Sequence, residues 1–151
     1  MIRALAAIAL FLATPAPAAE PSPQDRTALL QLAERMDRAW TAADADANAA
    51  LFASDATARF DTEPLGRGRE AIRRQFQAFF KDRPAGLRHA TTIERMELLA
   101  PGLTLWDAEV RVKRRQPAGH WETLTRIRNV TVAVRQADGW RIKTVRAFPI
   151  R

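Results

Sequence analysis

Three turns of the same build constrain the second half of this chain more than any other feature. Ala100-Pro101-Gly102, Pro117-Ala118-Gly119 and Ala137-Asp138-Gly139 each separate two segments of alternating character, and each ends in glycine. A three-residue hairpin loop needs a positive φ at its last position, which glycine adopts without steric cost. The spacing therefore predicts an antiparallel meander from Arg88 to Ile150. The predicted cross-strand pairs are Leu99 with Leu103, Gln116 with His120, and Gln136 with Trp140.

The first residues have the pattern of an export signal. Arg3 precedes an apolar run from Ala4 to Ala13, and Ala16-Pro17-Ala18 has the small residues of a cleavage site. An uncleaved anchor is the alternative, but the run is shorter than the ~20 residues that span a bilayer. The sequence therefore predicts a signal peptide over 1–18 and one domain over 19–151, in a bacterial periplasm or outside the cell.

Composition excludes several classes of function. There is no cysteine, so no disulfide, zinc–thiolate site or thiol nucleophile is expected. The 24 Lys and Arg against 17 Asp and Glu give a net charge of +7, but the basic residues are spread over every segment, so we expect no nucleic-acid partner. The chain has only 2 histidines and no phosphate loop or dinucleotide fingerprint, so neither a metal site nor a cofactor is expected.

The first half of the chain predicts three helices. Ser22 and Pro23 mark the start of a helix that reaches about Ala43, and Asp44 or Asp46 caps a short second helix. A brief strand over Thr57–Asp61 precedes a third helix that follows Gly66-Arg67-Gly68. The predicted buried stripe of this third helix contains Ile72, Phe76, Phe79 and Phe80.

Four segments in order carry a family resemblance. Trp40 with Asp44, Leu51–Ala56, Gly66–Ile72 and Trp140–Ile142 together resemble the SnoaL-like and SgcJ/EcaC groups of the nuclear transport factor two-like superfamily. The resemblance implies a cone-shaped α+β fold, in which a curved antiparallel sheet wraps around helices and leaves a pocket at its open end, often as a homodimer. The superfamily includes isomerases, dehydratases, cyclases and non-enzymatic binding domains, so the resemblance says little about chemistry. The matched segments are mainly structural and transfer no catalytic residue.

One difference from the superfamily's enzymes stands out. Its ketosteroid isomerases and scytalone dehydratases use tyrosine hydroxyls, and this chain contains no tyrosine. A close functional match to either is therefore not expected.

The predicted register puts charges on the concave face of the sheet. Counting across the strands places Glu94 and Arg128 on either side of Ala108, with Arg146 diagonal to Arg128. Trp106 and Phe148 would form the walls of this group. Since one carboxylate cannot neutralise two guanidinium groups, the pattern predicts a pocket for a partly apolar anion. A purely structural Glu94–Arg128 pair, with Arg146 reaching past the end of the sheet, is the alternative.

The remaining candidates follow from the same register and from the resemblance. Glu94 is the candidate acid or base of the pocket, and Asp61, at the exit of the short strand, is a second one. Trp40 and Phe60 are expected to line the pocket. The outer face of the sheet is predicted to hold His89, Asp107 and Glu109. It is also predicted to hold four apolar residues that would form a dimer contact: Leu103, Leu105, Ile127 and Ala133.

Three functions remain open on the sequence alone. The first is an exported domain that binds a small, partly apolar and anionic molecule. The second is a lyase, isomerase or cyclase that transfers protons in the same pocket. The third is a dimeric interaction domain with no ligand.

Overall fold

The computed structural model describes residues 19–150, so the predicted signal peptide over 1–18 lies outside the described residues. Three helices and six strands make up an α+β fold. The helices are α1 (Pro23–Thr41), α2 (Ala45–Ala50) and α3 (Gly68–Lys81). The strands are β1 (Phe52–Phe60), β2 (Gly66–Arg67), β3 (Leu87–Ala100), β4 (Leu103–Arg115), β5 (Trp121–Gln136) and β6 (Gly139–Pro149).

The helix starts follow their predicted capping residues. The Ser22 hydroxyl accepts a hydrogen bond from the backbone N–H of Asp25 at 3.1 Å, and Pro23 opens α1. The Asp44 carboxylate, rather than that of Asp46, caps α2 by accepting from the N–H of Ala47 at 2.8 Å. One detail of the predicted stripe on α3 is wrong, because Phe79 is 56% exposed.

All six strands form one sheet, in the order β2-β1-β6-β5-β4-β3. β1 runs parallel to β6, and every other neighbouring pair is antiparallel, so the predicted meander is confirmed. The helices cover one face, here called the inner face, and the other is the outer face. The buried core lies between the helices and the inner face; its largest members include Leu29, Leu32, Trp40, Phe52, Ile72, Trp106 and Trp140.

Four single extra residues interrupt the regular pairing of the meander. They are Leu99 and Glu94 in β3, Leu124 in β5 and Lys143 in β6. Each is a β-bulge. If the odd-numbered residues of a strand face inward before a bulge, the even-numbered ones face inward after it. Bulges also increase the local twist, which helps an open sheet to curl around its helices.

The bulges decide which of the predicted pairs form. The hairpin between β4 and β5 has the predicted register, and Arg114 lies opposite Glu122. The predicted pair of Leu99 with Leu103 does not form, because Leu99 is a bulge and Ala100 pairs with Leu103. The next pair, Leu98 with Thr104, has the predicted register. The third predicted pair is wrong, because Gln136 pairs with Gly139.

Beyond the bulges the predicted faces are reversed. In β4 the inner residues Trp106, Val110 and Val112 are as predicted. In β5 the bulge at Leu124 turns the odd-numbered residues inward, so Ile127 and Ala133 lie on the inner face. The outer face of β5 carries the even-numbered residues instead: Arg126, Arg128, Val130, Val132 and Val134.

The start of β3 and the ends of β1 and β6 lie at one end of the sheet, here called the open end. Leu87 at the start of β3 lies opposite Arg114, and Phe60 at the end of β1 lies opposite Ala147 near the end of β6. α1 ends at this same end of the sheet, because the hydroxyl of Thr41, its last residue, accepts from the His89 N–H near the start of β3.

Candidate functional site

An aspartate and a histidine meet between α1 and the inner face at the open end. Asp37, on the last turns of α1, lies with Oδ1 2.6 Å from Nδ1 of His89 on β3. The same carboxylate accepts from the Thr91 hydroxyl at 2.6 Å and from the Thr91 N–H at 2.8 Å. The side chains of His89 and Asp37 are only 10% and 21% exposed. We call Asp37 and His89 the Asp37–His89 dyad, or the dyad for short. Thr91 supports the dyad through its two hydrogen bonds to the Asp37 carboxylate.

The carboxylate of the dyad is held in its charged form. Burial raises the pKa of Asp37, but the hydrogen bond and charge of His89 and the two hydrogen bonds from Thr91 outweigh it, so the pKa lies below its ordinary value. An ionised carboxylate only accepts hydrogen bonds, so Nδ1 of His89 carries the proton. In the neutral imidazole, Nε2 then has the free lone pair, and it has no hydrogen-bond partner among residues 19–150.

Trp40 and Arg83 fix the end of α1 beside the histidine. The indole ring of Trp40 lies 4.9 Å from the imidazole ring of His89, and the Arg83 guanidinium lies 4.3 Å from the indole centroid. Arg83 also donates to the carbonyls of Trp40 and Thr41, at 2.6 and 2.8 Å. The Thr41 hydroxyl in turn accepts from the His89 N–H at 3.1 Å. The last turn of α1 is therefore held by hydrogen bonds on two sides, from Arg83, which follows α3, and from His89 of β3.

The inner face next to the dyad is apolar. In register across the sheet from Thr91 come Val110, Ile127 and Pro149. Helix α3 adds an aromatic group, in which the ring of Phe76 is 5.2 Å from that of Phe60 and 5.7 Å from that of Phe80. Ligand sites in proteins combine an apolar lining with a few polar groups, and here the dyad is the polar group beside the apolar face.

Two polar side chains of β5 lie deeper on the same face. Asn129 lies across the sheet from Ala108, and the Thr131 hydroxyl, on a fully buried residue, donates to the Asn129 Oδ1 at 3.1 Å. Asn129 is two strands from β3, which puts it about 10 Å from that strand.

One of the predicted pocket residues lies at the dyad, and a second lies elsewhere on the same face. Trp40 contacts His89, and Phe60 is half-buried on the inner face, at the end of β1. Trp106 also lies on the inner face, but it is 3% exposed and belongs to the core.

The predicted charged cluster is not on the inner face. Because Glu94 is itself a bulge, Ile93 lies opposite Ala108, and Asn129 rather than Arg128 lies on the other side of Ala108. Glu94 and Arg128 do form an ion pair, but on the outer face and about half exposed. The placement on which the predicted anion pocket depended is therefore wrong.

Arg146 and Phe148 also lie on the outer face. The bulge at Lys143 turns Val145 and Ala147 inward, and Arg146 donates to the carbonyls of Val145 and Thr57, at 2.7 and 3.3 Å. Phe148 is 44% exposed opposite Arg128. Neither side chain lines the inner face.

Asp61 lies at the open end but outside the dyad. It is exposed, with a φ of 51°, and its N–H donates to the carbonyl of Ala147 at 2.7 Å, which closes the end of β1. Of the other acidic candidates, Asp107 and Glu109 lie on the outer face as predicted, and Glu109 pairs with Arg111 and Arg126.

Sequence reasoning missed the dyad for two reasons. His89 was predicted to face outward, and the bulge at Glu94 reverses that, so His89 shares the inner face with Val112. Asp37 attracts no attention on an amphipathic helix that also has other acidic residues. One signal was available, because Asp37 lies three residues before Trp40, and residues three apart lie on neighbouring positions of a helix surface.

Within the part of the chain that the structure describes, neither a metal-binding cluster nor the two surface clefts given below adjoin the dyad. Residues 19–150 contain no group of three or more His, Cys, Asp or Glu side chains that could hold a metal ion. Two surface clefts, of about 240 and 430 Å³, lie elsewhere. The smaller one is beside Glu20, Arg26 and the Glu94 bulge, and the larger one is between α1 and α2. No helix of the described part of the chain has the length and apolar character needed to cross a membrane.

The chain belongs to the family of SnoaL-like domains, whose model matches residues 22–146. The family is part of the nuclear transport factor two-like superfamily, so the resemblance seen in the sequence and the predicted cone-shaped α+β fold are confirmed. Domains of this family commonly bind small molecules or have isomerase-type functions. None of the curated proteins compared with this chain matches it.

Solved structures with the same fold are numerous. A domain of unknown function from Nostoc punctiforme, with a cystatin-like fold, is 20% identical and has a TM-score of 0.74, over 87% of this chain and 80% of its own. A protein of unknown function from Mycobacterium tuberculosis is 22% identical with a TM-score of 0.73, over 85% and 77%. An NTF2-like protein from Novosphingobium aromaticivorans is 19% identical with a TM-score of 0.69, over 84% and 82%. At these identities the likeness shows the fold alone.

Proposed function

We propose that this protein binds a small, largely apolar molecule at the open end and that the Asp37–His89 dyad transfers a proton to or from it. The observation that carries the proposal is the 2.6 Å contact between the Asp37 carboxylate and Nδ1 of His89, which leaves Nε2 as the basic atom. A carboxylate that orients an imidazole in this way is a common arrangement for general acid–base catalysis. This is the second of the three functions considered from the sequence.

The surroundings of the dyad favour an uncharged ligand. Both arginines that would have held an anion, Arg128 and Arg146, lie on the outer face. Beside the dyad lie instead the ring of Trp40, 4.9 Å from that of His89, and Val112 and Val110, which pair with His89 and Thr91. The guanidinium of Arg83, which lies over Trp40, already donates to the carbonyls of Trp40 and Thr41. A planar ring system with an acidic C–H or O–H, such as a bicyclic ketone, suits these neighbours better than a carboxylate does.

Ligand binding is tested by NMR with two probes of similar size, 1-tetralone and 2-naphthoate. The ketone should shift the Trp40 indole and His89 ring resonances, and the carboxylate should do so less. Shifts confined to the outer-face arginines, or no shift with either probe, would contradict the proposal.

Proton transfer is tested separately, by deuterium incorporation into the α-carbon of 1-tetralone in D₂O. Wild-type protein should accelerate it, His89→Gln should abolish the acceleration, and Asp37→Asn should reduce it by roughly 10²-fold or more, as for loss of general-base catalysis. His120→Gln is the matched control, because His120 is the other histidine and lies in an exposed turn. Binding without exchange would favour the first function, a binding domain.

We propose further that the protein is exported, with cleavage after Ala18. The carbonyl of Ala19 accepts a hydrogen bond from the N–H of Leu98 at 2.7 Å, so a chain that begins at Ala19 keeps this contact with β3. N-terminal sequencing of exported material should give Ala19 as the first residue, and an intact Met1 would reject cleavage.

We also propose a homodimer through the outer face. Of the residues expected there, Leu103 and Leu105 lie on that face, whereas Ile127 and Ala133 face inward. Val130, Val132 and Val134 take their place, and together with the two leucines they form a half-buried apolar strip. Sedimentation should give twice the monomer mass, and Val132→Glu should give the monomer mass. A monomer at high concentration would rule the dimer out.

A further inference from the structure

Five basic side chains converge on one face of the hairpin made by β4 and β5. The register puts Arg111, Lys113 and Arg115 of β4 on the outer face, with Arg126 of β5 opposite Arg111 and Arg88 of β3 opposite Lys113. We call these five residues, with Trp121, the basic ribbon. The sequence showed no such stripe, because the basic residues come from three strands and alternate with others along each one.

Charge on the basic ribbon is only partly neutralised. Glu109, at the base of the hairpin, pairs with Arg111 and Arg126. Arg88, Lys113 and Arg115 form no ion pair within residues 19–150. The part of the ribbon nearest the hairpin turn therefore has excess positive charge.

Large apolar side chains accompany this charge. Trp121 lies opposite Arg115, is 43% exposed, and has the Arg88 guanidinium 5.8 Å from its ring centroid. Leu124, the bulged residue of β5, is 41% exposed. The three other tryptophans, Trp40, Trp106 and Trp140, are each no more than 6% exposed, so the exposure of Trp121 is unusual within this chain.

We propose that the basic ribbon docks the protein on an anionic phospholipid surface. Arginine and lysine heads suit lipid phosphates, an amphipathic tryptophan suits the interface between headgroups and acyl chains, and Leu124 suits the hydrocarbon below it. Nucleic acid would use the cations and the aromatic ring but would leave the aliphatic Leu124 in water. A second copy of the ribbon is disfavoured because it would bring like charges together.

Docking in this way would place the open end beside the membrane. The ribbon starts at Arg88, one residue before His89, and the largely apolar ligand of the proposed function would partition into lipid. Lipid docking does not depend on proton transfer by the dyad, so the two proposals are tested separately.

The test is co-sedimentation with vesicles, using the chain from Ala19, which contains every described element and lacks the predicted signal. Vesicles of phosphatidylcholine and phosphatidylglycerol in equal amounts should bind the protein, and pure phosphatidylcholine should not. Lys113→Gln/Arg115→Gln should weaken binding by roughly 25-fold, at about fivefold for each basic side chain near an anionic surface. The matched control, Arg59→Gln/Arg67→Gln, removes two exposed arginines at the opposite edge of the sheet and should bind like wild type.

Tryptophan fluorescence gives a second readout, because Trp121 is the exposed indole. Its emission should shift to the blue on anionic vesicles, and Trp121→Ser, checked for folding by circular dichroism, should lose the shift. Equal binding to both kinds of vesicle, equal loss in both double variants, or no blue shift would each overturn the proposal. So would tighter binding to a mixed-sequence DNA duplex than to the anionic vesicles at the same ionic strength.

Discussion

Replacing Asp37 with alanine tests the contact on which the candidate site depends. The carboxylate of Asp37 makes three hydrogen bonds of 2.6 to 2.8 Å, to the imidazole of His89 and to the hydroxyl and N–H of Thr91. Each hydrogen bond to a charged group stabilises by roughly 1.5–3 kcal/mol, but the three are not additive. Because the side chain is 21% exposed, we discount for solvent screening and expect a loss of about 3 kcal/mol.

The assay is urea unfolding of wild type, Asp37→Ala, His89→Ala and the double variant. The m-value should stay constant while the midpoint falls, since the fold is unchanged. The double-mutant cycle should give a coupling energy above about 1 kcal/mol, as for directly contacting residues. A loss below about 1 kcal/mol with zero coupling would refute the view that the dyad is a tightly held unit.

The pH dependence of the same variants follows from the direction of the pKa shift. The pKa of Asp37 in the folded protein is lowered from its ordinary value of 3.8, since the contacts with His89 and Thr91 outweigh burial. The stability it contributes is therefore present above that value and is lost as the pH falls through the folded pKa. The difference in unfolding free energy between wild type and Asp37→Asn should have its full value at pH 6 and should shrink below about pH 4.

Two further changes probe the support of the site and the base of the basic ribbon. Arg83→Met removes two hydrogen bonds to the end of α1 and should cost about 1–2 kcal/mol in urea unfolding; it should also move the His89 amide resonance, which Arg83→Lys should do less. Hydrogen bonds from Arg126 and Arg111 outweigh burial and lower the pKa of Glu109 from 4.5 to about 2. Wild type should therefore lose stability as the pH falls from about 4.5 to 2. The urea midpoint of Glu109→Gln should change less with pH over that range.

The sequence predicts the architecture well because its strongest signals are local. Glycine-ended turns, the caps at Ser22 and Asp44 and the helical spacing on α1 are each decided by a few neighbouring residues. These signals are enough to predict three helices, the meander and, through the resemblance, the family. The positions of Trp40 beside His89 and of Phe60 on the inner face are predictable for the same reason, since both follow from the position of an element.

The candidate site is harder to predict because it depends on counting across strands. One extra residue reverses every face beyond it, and Glu94, Leu124 and Lys143 each do so between a turn and the residues of interest. Nothing local marks these residues, since a leucine or lysine fits a regular strand equally well. This error placed Arg128 on the inner face and His89 on the outer face. The sequence therefore predicted an anion pocket and missed the dyad.

The bulges also make a prediction about deletions within strands. In β5, Thr125 lies opposite Val112 and Thr123 lies opposite Lys113, so Leu124 is the extra residue between two intact pairs. Deleting Leu124 removes the bulge without moving either pair or turning any other side chain to the opposite face. Since Leu124 is 41% exposed, the deletion should cost about 1 kcal/mol or less of unfolding free energy, apart from some loss of twist.

Deleting Val130, in the regular part of the same strand, is the matched control. If Thr131 and Ala133 keep their buried positions, the preceding residues change faces, and Arg128 must turn toward the apolar inner face. A buried cation without its partner costs roughly 3–5 kcal/mol, so this variant should unfold at much lower urea or fail to fold. Equal losses for the two deletions would mean that Leu124 is not the extra residue, and the inward orientation of Ile127, Asn129 and Thr131 would then have to be abandoned.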